Sequence, residues 1–100
     1  GCLDIFHLHD YWVVRLHAGT FKSADGKRWI KGVEKGTPDY VCLHPRHRAF
    51  LLEVKRPGGT LSPAQQDQIA LLREVRRLPV AVVDRVESLS RFLALHEQPP

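Results

Sequence analysis

Asp39-Tyr40-Val41-Cys42-Leu43-His44-Pro45-Arg46-His47-Arg48-Ala49-Phe50-Leu51-Leu52-Glu53-Val54-Lys55 is the stretch from which the fold is read. Two runs rich in apolar, aromatic and β-branched residues flank a basic turn that contains proline, and Gly36-Thr37-Pro38 ahead of them breaks any regular element. The pattern predicts a β-hairpin with strands over 39–43 and 49–55. Gly58-Gly59 then frees the backbone, and Ser62-Pro63-Ala64-Gln65 is a helix start, with Ser as N-cap, Pro at N1 and Gln at N3 of a capping box. Ile69, Leu72 and Val75, with Leu71 beside them, predict an amphipathic helix to about Arg77, where Arg73, Arg76 and Arg77 suit the negative end of the helix dipole. The apolar run 80–83 reads as a strand buried on both faces, 87–95 as a closing amphipathic helix, and 96–100 as a frayed tail.

Working upstream, Leu3, Phe6 and Tyr11 fall on helical spacing and suggest a first helix to about His9. Residues 11–17 read as a strand ending at Gly19, Ser23-Ala24-Asp25-Gly26 as a turn, and Trp29-Ile30 as a short strand, together a hairpin or irregular excursion. The crossover from 49–55 through the helix to 80–83 is long enough to set those two strands parallel. The expected fold class is α/β, a mixed β-sheet flanked by helices.

One hundred residues, 43% hydrophobic and 26% charged, match a single globular domain, since two would each lack a core. The longest apolar stretches, at 78–83 and 49–52, fall far short of the ~20 residues of a membrane span, so no membrane partner is expected. No basic region followed by an apolar run marks a signal peptide, and Cys2 and Cys42 form no Cys-x-x-Cys pair; a cytoplasmic setting is expected. Fifteen Lys and Arg against eleven Asp and Glu give +4, which permits nucleic acid as a partner.

Side chains alternate along a strand, so Glu53 and Lys55 share a face. Asp39 joins them if hairpin partners sum to an even number, as with 39 opposite 55, and turns away if the sum is odd. An odd-length loop around His47, or a bulge near Asp39, is therefore predicted. Two carboxylates and an ammonium at one end of adjacent strands suit a hard cation such as Mg²⁺, with the lysine placed to position or deprotonate a nucleophile or to stabilise an anionic transition state. A Glu-x-Lys triplet alone is expected in about one in three chains of this length, so its context carries the weight. Here it ends an apolar strand, glycines follow it, and Gly36-Thr37-Pro38-Asp39 lies a hairpin's distance upstream.

Gly36-Thr37-Pro38-Asp39, Glu53-Val54-Lys55-Arg56-Pro57-Gly58-Gly59 and Leu61-Ser62-Pro63-Ala64-Gln65, in this order and spacing, resemble the motifs of the VRR-NUC domain of the PD-(D/E)xK nuclease superfamily, in its stand-alone phage or bacterial type. The resemblance runs from about Leu3 to Leu95 and implies a restriction-endonuclease-like sheet. It implies that Asp39 and Glu53 bind a divalent metal, Mg²⁺ or Mn²⁺, with the Val54 carbonyl, that Lys55 acts on the attacking water, and that Gln65 orders the site. It further implies an endonuclease acting on DNA phosphodiesters, resembling Holliday junction resolvases that cut four-way junctions as homodimers in a bacterial or phage-infected cell. One departure stands out: the family's first-helix glutamate has only Asp4 and Asp10 as counterparts, which implies either a shortened first helix or a thinner metal shell. The competing expectation is a non-catalytic or weakly active DNA-binding module on the same fold, and a third is a small sequence-preferring, restriction-like nuclease.

Gln65 has a purely structural alternative as the third residue of the capping box, and Gly58 and Gly59 serve a turn as well as they would a phosphate. Lys22, Lys27, Arg28, Lys31 and Lys35 form a solvated face or a grip on the DNA backbone, with Arg56, Arg46 and Arg48 as further candidates. Trp12 and Trp29 are expected in the core or an interface rather than stacked on bases, the histidines lack zinc spacing, and Cys42 reads as a small buried hydrophobe.

Overall fold

The computed structural model describes residues 2–17 and 20–99, without the side chains of Leu3, Thr20, Phe21, Ile30 and Lys31. Gly19 and the side chains of Leu3 and Lys31, which the sequence reading used, lie outside what is described. The chain runs α1 (Cys2–Leu8), β1 (Trp12–Arg15), β2 (Thr20–Lys22), β3 (Trp29–Lys31), β4 (Tyr40–Leu43), β5 (Phe50–Val54), α2 (Pro63–Glu74), β6 (Val80–Val83) and α3 (Val86–His96). Four strands form a sheet in the order β1-β4-β5-β6, while β2 and β3 pair separately. The first three strands of the sheet are antiparallel, and β6 lies parallel to β5 through the α2 crossover, as predicted. This is an α/β fold with a mixed sheet between helices.

Alternation along β5 decides which residues meet which layer. Phe50 and Leu52 face one side and join Phe6, Tyr11, Cys42, Ala81, Val83, Leu89 and Leu93 in the larger core, under α1 and α3. Leu51 faces the other side, toward Ile69 and Leu72 of α2, with Val80 and Val82 of β6. β6 is an edge strand, yet both its faces are covered, which explains its wholly apolar sequence.

Three expectations are corrected. α2 stops at Glu74, because Arg77 adopts the left-handed conformation (φ 58) and the Leu78 N–H turns back to the Leu72 carbonyl at 3.0 Å, so Arg76 and Arg77 lie past the helix. Residues 96–97 are not a frayed tail: His96 stacks on Phe92 at 5.2 Å and Glu97 meets His9 at 3.1 Å. Trp12 and Trp29 are both 70% exposed, which removes the core from the two settings expected for them and leaves the interface. Of the two alternatives for the excursion after β1 the structure shows the hairpin, formed by β2 and β3 with Lys22 opposite Trp29. Among the described residues no helix is long and apolar enough to cross a membrane.

Cys42 is completely buried, and burial pushes its thiol up to about 12. At pH 8 a thiol reagent is therefore expected to label Cys2 alone in the folded chain and Cys42 only on unfolding. Cys42→Ser is expected to cost about 2 kcal/mol in chemical denaturation, by burying a hydroxyl with no partner in its place. Equal labelling rates for both thiols would contradict the packing of β4.

Candidate active site

Three strands deliver the site to one end of the sheet. The carbonyl of Asp39, just before β4, accepts the Leu16 N–H at 2.7 Å, which extends the β1 ladder. Glu53 is the penultimate residue of β5, and the Lys55 N–H continues to the Val83 carbonyl of β6 at 2.8 Å. Tyr40 pairs with Leu52 and Cys42 with Phe50, so the partners sum to an even number and the hairpin centres on Arg46, one residue from the expected His47. That parity sets Asp39 opposite Glu53, on the face shared with Lys55 and α2. The Asp39 N–H donates to Glu53 Oε2 at 3.2 Å.

Gln65 joins helix to strand. Its Nε2 donates to Glu53 Oε1 at 2.7 Å, while its Oε1 accepts from Lys55 Nζ at 2.8 Å and from the Ser62 N–H at 2.9 Å. Two donors on one side and a carboxylate on the other fix which way the amide points. The Ser62 hydroxyl in turn accepts the Gln65 N–H at 3.2 Å, completing the capping box. The structural and functional readings of Gln65 are thus the same atoms: capping α2 is what presents the amide to Glu53 and Lys55.

A second contact, which the sequence reading missed, seats the loop before Asp39 on the same helix turn. Gly36 has φ +87, and a Cβ there would lie 2.4 Å from the Ala64 carbonyl oxygen and 3.1 Å from the Gln65 nitrogen. Only glycine allows that approach. Gln68 Nε2 donates to Thr37 Oγ1 at 3.4 Å, and Pro38 is fully buried. The signal in the sequence was the glycine itself, which reads as a chain breaker until α2 is placed beside it.

Glu53 is only 2% exposed, and its pKa is raised by burial and by the neighbouring Asp39 carboxylate, against the hydrogen bond and charge of Lys55, whose Nζ lies 3.4 Å from Glu53 Oε1. A cation beside the two carboxylates would relieve both causes of that shift, so the donor set fits a hard divalent ion. Among the described residues no group of three or more His, Cys, Asp or Glu is assembled to hold a metal. Asp4 and Asp10 lie on α1 and at its exit, in the layer on the opposite face of the sheet. Val54 extends the β5 register to a position opposite Pro38, which has no N–H to give its carbonyl, so the ladder leaves that oxygen unclaimed.

The remaining candidates divide. Gly58 (φ 77) follows Pro57 in a turn closed by the Gly59 N–H to the Arg56 carbonyl at 2.8 Å, the chemistry of a type II turn. Arg56 is exposed just past Lys55, and Lys22, Arg28 and Lys35 are exposed on and after the β2–β3 ribbon. Arg46 and Arg48 belong to the hairpin tip, at the far end of β4 and β5 from Asp39, and Arg48 donates to the Arg77 carbonyl.

Gly36→Ala is expected to destabilise the chain by about 2 kcal/mol or more, from left-handed strain plus backbone overlap. Gly58→Ala, with nothing within 4 Å, should lose only about 1 kcal/mol to the strain. Urea denaturation of the two variants compares them. For Glu53, a carbon-detected NMR titration is expected to give a midpoint above the ordinary 4.5. A raised folded-state pKa means that this group's contribution to stability is fully present below its unfolded value and is lost as pH rises through the folded one.

The VRR-NUC domain model matches residues 15–86, from the last residue of β1 through the ribbon, the hairpin, α2 and β6. No curated protein and no solved structure matches the chain. The match spans well over half the chain and contains all four residues gathered at the end of β5, in a domain whose family processes DNA and generally uses divalent metals: the chain belongs to the VRR-NUC nuclease family.

Proposed function

We propose that this chain is a divalent-metal-dependent endonuclease that hydrolyses phosphodiester bonds in branched DNA, in the manner of a Holliday junction resolvase, as a homodimer in the cytoplasm of a bacterial or phage-infected cell. The observation that carries this reading is the single hydrogen-bonded cluster of Asp39, Glu53, Lys55 and Gln65 at the end of β5. Asp39, Glu53 and the Val54 carbonyl would hold the ion, Mg²⁺ or Mn²⁺. When bound, it supplies positive charge for a phosphoryl oxygen and acidity for a water.

The chain's own side chains have distinct tasks. Hydrolysis adds a water oxygen to phosphorus and breaks one P–O ester bond, and a proton from that water ends on the leaving oxygen. The Lys55 ammonium has three N–H groups: Gln65 Oε1 and Glu53 Oε1 take two, and the third is free for the attacking water or the charged phosphoryl oxygen. Gln65 is a positioning residue that holds the Glu53 carboxylate and the Lys55 ammonium in one orientation. Arg56 and Lys35, exposed beside the site, would hold flanking phosphates. Exposed Leu8, at the end of α1, and Trp12, at the start of the edge strand β1, support a contact between copies. A two-fold pair would offer two sites to the two symmetric strands of a junction.

A second reading, a non-catalytic or weakly active DNA-binding module, is favoured by a metal shell that, among the described residues, holds two carboxylates. Cleavage of a four-way junction, a flap and a linear duplex in Mg²⁺, Mn²⁺ or EDTA separates the two. Lys55→Ala and Asp39→Asn are each expected to reduce metal-dependent cutting by at least about 100-fold, with junction binding in EDTA changed less than about threefold. Mg²⁺ should raise the melting temperature of the parent chain but not of Asp39→Asn. Cuts placed symmetrically across the junction, with a dimer in sedimentation equilibrium, support the resolvase. Binding without cutting by folded protein supports the module, and cutting indifferent to both substitutions would sink the site assignment.

A further inference from the structure

Three-quarters of the chain's net charge sits in one small ribbon. Residues 20–35 hold five Lys and Arg against two acids, net +3 of a formal +4. The ribbon closes on its own polar turn: Ser23 N–H to the Arg28 carbonyl at 2.8 Å, Gly26 N–H to the Ser23 carbonyl at 2.9 Å, and Asp25 taking the Ser23 hydroxyl and the Lys27 N–H. Among the described residues, the backbones of β2 and β3 lie near each other and near no other helix or strand. The radius of gyration, 14.8 Å against about 13 Å for a compact chain of this length, agrees with a projecting arm. A two-stranded ribbon is marginal in water by itself, so this one is built to be covered by something.

Its root lies beside the candidate active site. β1 ends with Arg15 opposite Tyr40, Leu16 bonds to Asp39, and the ribbon returns through the Val33 N–H to the His17 carbonyl at 2.7 Å. Trp29 is 70% exposed, and the ammonium of Lys22, directly across the ribbon, lies 5.3 Å from its ring. The indole face turned away from Lys22 offers stacking to any base, and the ammonium over the other face offers charge to the adjoining phosphate. Bases inside a continuous duplex are already stacked and cannot use the indole, whereas unpaired bases at a branch can.

Resting on the nuclease reading above, we propose that the β2–β3 ribbon is an arm for DNA, in which Trp29 stacks on a base left unpaired or unstacked at the branch point while Lys22 and Arg28 hold the neighbouring phosphates. Trp29 then selects substrates with unpaired nucleotides beside the cleavage site over continuous duplex.

The test uses the full chain in EDTA, with a flap carrying unpaired nucleotides at its branch, a thymidine oligonucleotide and a matched blunt duplex. In protein labelled with 5-fluorotryptophan, and assigned with Trp29→Phe, the Trp29 fluorine resonance is expected to shift with flap and oligonucleotide but not with duplex. Trp29→Ala should weaken flap binding about tenfold, which is ~1.4 kcal/mol, and change duplex binding less than about twofold. Trp29→Phe should restore most of the loss. Lys22→Ala and Arg28→Ala should weaken flap and duplex alike, each lowering the salt slope by about one. No loss with Trp29→Ala, or equal loss on flap and duplex, overturns the stacking arm, and metal- and Lys55-dependent cutting would then leave the nuclease reading intact. Conversion of a dimer to a monomer by Trp29→Ala overturns it as well, in favour of an interface between copies. If the parent chain binds none of the three DNAs, the arm fails, and if it also binds no four-way junction the nuclease reading fails with it.

Discussion

A carboxylate taken almost wholly out of water must be met by donors, and that constraint at Glu53 organises this end of the molecule. Three groups from three segments meet it: the Asp39 backbone N–H, the Gln65 amide and the Lys55 ammonium. Each can reach Glu53 only if its own segment is in place. The hairpin must be in even register, α2 must begin at Ser62, and β5 must run on beside β6 to Lys55. The cluster is therefore both a candidate catalytic centre and a junction between strand pairing and helix capping. Its cost is also visible, in a carboxyl held above the ordinary range by burial and by Asp39, a state that a bound cation would ease.

The two layers around the sheet share the work unequally. The α1/α3 side carries the larger apolar core, with Phe6, Phe50, Leu52, Leu89 and Leu93 all essentially inaccessible. The α2 side is thinner and is part polar, because the same strand face that buries Leu51 must also present Glu53 and Lys55. Backbone packing makes up part of the difference: Gly36 lets the loop before Asp39 rest against the carbonyl of Ala64. Local positioning of the site is thus achieved by close approach and capping bonds as much as by apolar burial.

Elements whose signals are local were legible in the sequence. The Ser62 capping box, the turn at Gly58-Gly59 and the β5–α2–β6 crossover each follow from neighbouring residues, and the structure places them accordingly. The end of α2 was misjudged because arginines continue the helical composition to Arg77, whereas a left-handed residue and a turned-back N–H decide the stop. For Trp12 and Trp29 the core half of the expectation failed: hydrophobicity argues for burial, while a strand at the sheet edge and a ribbon whose backbone, among the described residues, lies near no other helix or strand leave them no core to enter.

The sequence by itself determined which residue types stand two apart on one strand, where the helix starts and that the two carboxylates flank a hairpin, because those relations are carried by chain spacing and strand alternation. Tertiary structure alone decided the parity that turns Asp39 toward Glu53, the contact that makes glycine necessary at position 36, and the use of one amide to cap a helix and bridge an ion pair. Register, close approach and shared hydrogen bonds depend on how separate segments meet, and no local pattern encodes that meeting.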